Sequence, residues 1–375
     1  MKLEVFELER FQSEWEHQVE YNLTESGIQP LQVKELLTSE NLISKMLDIR
    51  LGYSQTNGTI PLRQLVSDIY PTAGVDNVLI TVGGAEANFV SSWYLLKEVP
   101  GNEIALMLPN YMQIHGLWKN KGGKVNPFYL YPRDGRWQLD VEELKKAVTS
   151  NTSAITICNP NNPTGAVLDS NDLKVVVDLA EDKDIWILSD EIYRGAELSG
   201  ALTPSVFDIY DKVMVTSSLS KVYGLPGLRL GWIVCSSDSV THDLWTHTDY
   251  TTICPAKLSD WLAILALDSS LQESIRERLR DHLRSNWTVM ENWLQHHSDV
   301  FSFIPPKAAA ICFPKHNLPM TSLEFVDRLR KEKSVLIIPG EQFGMESYFR
   351  IGFGYEKDGL TQGLNRVSEL IESVK

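Results

Sequence analysis

Cysteine is scarce in these 375 residues: Cys158, Cys235, Cys254 and Cys312 are far apart and form no C-x-x-C pair. That spacing excludes a disulfide framework and a zinc knuckle, and it fits free thiols in a reducing cytoplasm. Positive charge is also in deficit, with 35 Lys and Arg against 49 Asp and Glu and a net charge of −14. Such a field repels phosphate backbones and anionic lipid, so neither nucleic acid nor membrane is expected as a partner. Long apolar runs are missing. The longest compact one, Trp261 to Leu267, is far too short to cross a bilayer. The opening MKLEVFELER mixes charges of both signs and has no apolar stretch of the kind that drives secretion. No repeat or low-complexity segment stands out. The expectation is a cytoplasmic chain without metal.

What is present is 43% hydrophobic and 22% charged residues, enough to bury a sizeable core. Short β-rich runs alternate with helical patterns. Strands are expected at Val78–Val82, Glu103–Leu108, Lys124–Leu130, Ala154–Cys158, Trp186–Ser189, Val213–Ser217 and Leu230–Cys235. Helices are expected between them, over Ala85–Lys97, Tyr111–Asn120, Val141–Ala147 and Asp169–Asp182. This alternation predicts an α/β fold with a mostly parallel sheet sandwiched by helices. After Pro255 the texture changes: Leu258–Gln295 reads as helical, and short strands and two helices follow to the end. The expected division is a large unit over 45–262 and a smaller α+β unit formed by 1–44 and 263–375.

Four segments stand at strand ends, where open α/β sheets place ligands. In Val82-Gly83-Gly84-Ala85, the glycines let backbone N–H groups and a helix N-terminus face a phosphate. Alone, this is an ordinary tight turn. In Asn159-Pro160-Asn161-Asn162-Pro163-Thr164-Gly165, two X-Pro steps stiffen the loop, and Asn162 offers an amide donor to a phenolic oxygen. In Ser189-Asp190-Glu191-Ile192-Tyr193, Asp190 emerges from an apolar strand. A carboxylate there is either a helix cap or the partner of a cation such as a protonated ring nitrogen. The fourth segment is the most specific. Ser218-Leu219-Ser220-Lys221 precedes a Gly/Pro-rich loop that reaches Arg229, so hydroxyls, an amine and a guanidinium can converge on one phosphate. Between an apolar strand and that loop, desolvation and the nearby arginine favour a nucleophilic lysine.

Together and in this order, the four segments resemble the class I/II aminotransferases, enzymes of fold type I that use pyridoxal 5'-phosphate (PLP). The resemblance runs over nearly the whole chain and implies the following roles. Lys221 forms the Schiff base with PLP and then moves the proton at the substrate Cα. Asp190 pairs with the pyridinium nitrogen. Asn162 and Tyr193 hydrogen-bond the phenolic oxygen, and Tyr111 stacks on the ring. Gly84, Ala85, Ser218 and Arg229 form the phosphate cup. Tyr53 reaches the neighbouring active site of a homodimer. Arg350, with its planar fork, grips the α-carboxylate of an amino acid or keto acid. Gly27 and Asn162 contact the same substrate.

The sequence departs from many relatives at Ala308-Ala309-Ala310, where they carry a glycine-bearing turn. No second arginine is assignable to a dicarboxylate side chain. Ser26-Gly27, Leu225-Pro226-Gly227-Leu228-Arg229 and Pro339-Gly340…Phe343-Gly344 also resemble capreomycidine synthase, a relative that cyclises an oxidised arginine derivative. The expected reaction is amino-group transfer, with a PLP-dependent cyclase, lyase or oxidase as the alternative. His242, His247, His296 and His297 read as solvated helix faces, and Trp15, Trp118 and Trp137 as core or interface aromatics.

Overall fold

The computed structural model describes residues 3–375. Its main sheet has eight strands: β2 (Val78–Thr81), β3 (Glu103–Leu108), β4 (Lys124–Arg133), β5 (Arg136–Leu139), β6 (Thr152–Cys158), β7 (Trp186–Asp190), β8 (Val213–Ser218) and β9 (Gly231–Cys235). A two-residue strand near the start of the chain, β1 (Tyr21–Asn22), lies elsewhere. The sheet order is β2-β9-β8-β7-β6-β3-β4-β5. Strands β4, β3, β6, β7 and β8 run parallel; β2, β9 and β5 pair antiparallel at the two edges. Every residue of β2, β3, β6, β8 and β9 is buried, as expected for a sheet covered by helices on both faces.

The covering helices begin and end on recognisable signals. Asp169 caps the helix Ser170–Lys183 by accepting from the backbone of Asn171 and Asp172, and Asp184 closes it with φ +54°. The long helical stretch after Pro255 is two helices, Lys257–Leu267 and Ser269–His296, broken at Asp268, whose side chain caps the second. No helix among the described residues is long and apolar enough to cross a membrane.

The remaining strands are short: β10 (Phe301–Ser302), β11 (Ile311–Cys312), β12 (Lys315–His316), β13 (Val335–Leu336), β14 (Ile338–Pro339) and β15 (Phe349–Gly352). β15 lies between β11 and β14. β1 pairs parallel with β13, which ties the beginning of the chain to its last part. From there residues 23–31 run past β15 and the loop after β8: Gly352 N donates to Leu23 O, and Leu31 N to Gly224 O. Ahead of β1, helix α1 (Glu7–Trp15) is thereby held beside the C-terminal ends of the main strands.

One expectation fails here. His297 is buried and bonded to Ser368 Oγ at 2.7 Å, so it is a satisfied core histidine and not a solvated one. Trp118 and Trp137 are buried, while Trp15 lies half-buried beneath the Arg330 guanidinium, 3.7 Å from its ring centre.

Candidate active site

The C-terminal ends of β2, β3, β6, β7 and β8 open on a cavity of about 320 Å3. The fold brings Gly84, Ala85, Tyr111, Asn162, Asp190, Tyr193, Lys221, Arg229 and Arg350 onto its wall. Ser218 stands behind that wall, buried, with its Oγ accepting from Ser220 N at 3.1 Å. Tyr53 lies outside, 87% exposed, on an adjoining cleft that Arg229 also lines.

Asp190 ends β7 with its carboxylate buried. Burial pushes its pKa up, against the amide of Asn88, which donates to Oδ2 at 3.0 Å, and Ile192 N, which donates to Oδ1 at 3.1 Å. Asn88 is itself fixed by Thr216 Oγ1, which donates to its Oδ1 at 2.7 Å. A buried carboxylate held by two neutral donors is suited to a cation across the cavity.

Tyr193 donates to Ser26 Oγ at 2.8 Å and accepts from Asn162 Nδ2 at 3.3 Å. Burial keeps its phenol protonated by raising the pKa. The other end of the Asn162 amide accepts from Arg350 Nη1 at 3.0 Å, and Arg350 Nη2 donates to the carbonyl of Thr24 at 2.8 Å. Arg350 is 2% exposed, and its Nε has no partner. Two glycines on and after its strand admit the residues 23–27 stretch: a Cβ at Gly352 would lie 2.1 Å from Glu25 O, and one at Gly354 would lie 2.0 Å from Gly27 O. Gly27 in turn covers the Lys221 stem, since a methyl there would sit 3.3 Å from Lys221 Cδ. Lys221 Nζ is 3.7 Å from Glu25 Oε2.

At the other end of the cavity Gly83 takes φ +79°, and a Cβ on it would meet Arg229 Nη2 at 2.7 Å. The positive φ favours glycine there, and the missing side chain leaves room for the guanidinium. Gly84, next to it in the first turn of the helix Gly83–Glu98, faces Ser218. Tyr111 packs edge-on against Phe6 at 5.1 Å and donates to Glu9 Oε1 at 2.6 Å.

Asn88, which holds Asp190, was not among the candidates of the sequence reading; Ser26, named there only for its likeness to capreomycidine synthase, is the partner of Tyr193. Asn88 stands one helical turn after Gly84, so helix periodicity from the glycine turn is the signal that points to it. The reading also missed the wall built by Glu9, Gln12, Ser13 and Glu16 of α1 and its C-terminal cap. Their spacing of three and four residues puts them on one face. The three alanines at 308–310 are all buried, and Ala309 sits at φ +67°, a conformation that favours glycine. It packs with Tyr193 and Ile311.

The family described as aminotransferase class I and II matches residues 22–367. The chain belongs to that family. Aromatic-amino-acid aminotransferase 2 of Thermococcus litoralis is 28% identical to this aminotransferase-family chain over 336 residues, covering 86% of it and 85% of the relative. Capreomycidine synthase of Streptomyces vinaceus is 29% identical over 301 residues, covering 78% and 74%. A PLP-dependent aminotransferase of Streptococcus suis superposes with a TM-score of 0.93 at 31% identity, covering 100% of this chain and 99% of that one.

Class I/II aminotransferases work with PLP, and the donor set fits it. A buried carboxylate suits the ring nitrogen, a phenol and an amide suit the ring oxygen, and a glycine turn with Arg229 suits the phosphate. A primary amine, Lys221, stands on the same wall.

Proposed function

We propose that this aminotransferase-family chain moves an amino group between an amino acid and a 2-keto acid, with Lys221 carrying the cofactor covalently. The observation that carries the reading is the meeting of Lys221, Asp190 and Arg350 in one cavity. When bound, PLP supplies an aldehyde carbon for the lysine and a ring that accepts the electron pair released at Cα. Asp190 would hold the ring nitrogen protonated, Asn162 and Tyr193 would hold the ring oxygen, Tyr111 would pack on the ring, and Gly84, Ala85, Ser218 and Arg229 would take the phosphate. Arg350 orients the substrate carboxylate through its fork, and Gly27 closes over the Lys221 stem to exclude water. Lys221 Nζ, on the cavity wall, would be the group that holds and returns the Cα proton.

The chain acts as a homodimer in the cytoplasm. Free thiols at all four cysteines favour a reducing compartment. Exposed Leu47, Leu51 and Tyr53 form an apolar stretch beside the cleft that ends at Arg229, a reason to bury them against a second copy. Residues 45–262 act as the cofactor-binding unit, and 1–44 with 263–375 as the smaller unit that brings Arg350.

Borohydride reduction followed by peptide mass spectrometry tests the cofactor linkage, with the adduct expected on Lys221 alone. A panel of 2-keto acids tests the reaction, because amino-group transfer requires one of them to restore the starting cofactor absorbance after a single turnover. The 29% identity to capreomycidine synthase favours one second reading, an amino-acid cyclase, lyase or oxidase. In that case no keto acid restores the cofactor.

A further inference from the structure

The outer wall of the cavity is acidic. Glu9 of α1 and Glu16 at its C-terminal cap face the interior, and Glu25 joins them from the stretch that covers Lys221. The cations on the same wall are Lys221, Arg229 and Arg350. In the amine-transfer reading each of these has a fixed use: the cofactor aldehyde, its phosphate and the substrate carboxylate. Asp190 is likewise matched to the ring nitrogen. Among the described residues, no further cation on this wall is left to balance the three glutamates.

Their present partners do not supply one. Glu25 is 3.7 Å from Lys221 Nζ, a charge that the cofactor linkage takes up. Glu9 accepts a hydrogen bond from the neutral Tyr111 phenol. Among the described residues Glu16 pairs with His17 alone, at 3.3 Å, whose side chain is 87% exposed. Burial and then the charge of Glu25 push the Glu16 carboxyl up, with Glu9 adding to the effect and His17 opposing it. Arg350, on whose charge Glu25 and Glu9 also act, bears on which way a ligand lies. Arg350, 2% exposed, lines the cavity with its Nε unpaired. It is suited to a carboxylate and leaves the rest of the molecule to the acidic wall.

We infer that the amino donor carries a positively charged side chain, a guanidinium or a second ammonium, received by Glu9, Glu16 and Glu25 while Arg350 holds its α-carboxylate. The inference rests on the amine-transfer reading of the cavity. The three carboxylates are partly open to solvent, so the preference is moderate and falls as salt is raised.

Matched pairs that differ in side-chain charge test this on the holoenzyme: L-arginine against L-citrulline, and L-lysine against L-norleucine. Each is mixed rapidly with the holoenzyme, and the concentration dependence of the first absorbance change gives an affinity before the amino group is transferred. Binding of the charged member at least tenfold tighter in one pair supports the inference. That ratio shrinks at 0.5 M salt and in Glu16→Gln, with Glu25→Gln as a second variant. Equal affinities, or tighter binding of the neutral member in both pairs, overturn it and leave amine transfer standing. Absence of a borohydride-trapped adduct on Lys221 overturns both.

Discussion

Arg350 donates from Nη1 to Asn162 Oδ1 at 3.0 Å, and so ties β15 to the loop that follows β6. The same amide reaches Tyr193 through its nitrogen, at 3.3 Å. One asparagine therefore connects the group read as the carboxylate grip to the group read as the ring-oxygen donor.

Arg350→Lys is expected to keep the cofactor and lose the substrate. A lysine cannot hold Asn162, Thr24 and a carboxylate in one plane. Loss of one charge-assisted bond costs about 1.5–3 kcal/mol, a fall of roughly 10- to 100-fold in kcat/KM carried mainly by KM. Steady-state kinetics and the unchanged cofactor absorbance check this together.

Asn88→Ala is expected to move the acid limb of the kcat/KM profile to higher pH. The Asn88 amide lowers the pKa of Asp190 against burial, and its removal leaves burial less opposed. Activity that needs the ionised carboxylate then fails earlier as pH falls. A pH series on wild type and variant reads the direction.

Glu191→Gln is expected to change how stability depends on pH. Burial pushes Glu191 up to about 7 from its ordinary 4.5, with Arg194, Ser205, Val206 and Ser189 opposing the shift. Between those two values the folded chain keeps a proton that the unfolded chain gives up, so this group lowers stability as pH rises through the window. The glutamine variant lacks that loss, so its stability relative to wild type is higher at pH 7.5 than at pH 5 by about 2 kcal/mol. His316, pushed down to about 4 by burial, acts the other way in both proteins and cancels. Denaturant unfolding at pH 5 and 7.5 measures the difference.

Ala309→Gly is expected to stabilise. A left-handed alanine costs about 1–2 kcal/mol, and the added freedom of glycine in the unfolded chain returns about 0.5–1. The melting temperature should therefore rise. A fall would mean that the methyl group packed on Tyr193 and Ile311 outweighs the backbone cost.

Much of the cavity was legible because its chemistry is local. The segments around Gly84, Asn162, Asp190 and Lys221 each follow a buried strand directly, so apolar patterning locates them without tertiary information. The parallel core strands were legible for the same reason. The antiparallel edges β2, β9 and β5 were not, because strand direction depends on connections and not on composition. Helix α1 was missed altogether. Its nine residues carry an amphipathic pattern, but what they cover is decided by the pairing of β1 with β13. Asn88 was hidden inside a helix that reads as simple covering, and the backbone of Ala309 leaves no trace in its residue type.

The pairing of β1 with β13 also sets an order of events. Glu20 and Ser334 are 314 positions apart, yet the backbone of one bonds the other. A ribosome releasing this chain exposes the acidic helix long before the strand that holds it in place. Until β13 emerges, Lys221 and Asp190 sit on a sheet with no outer wall. Closure of so long a loop comes late and slowly, so a nascent chain stalled before β13 should be the form most in need of a chaperone.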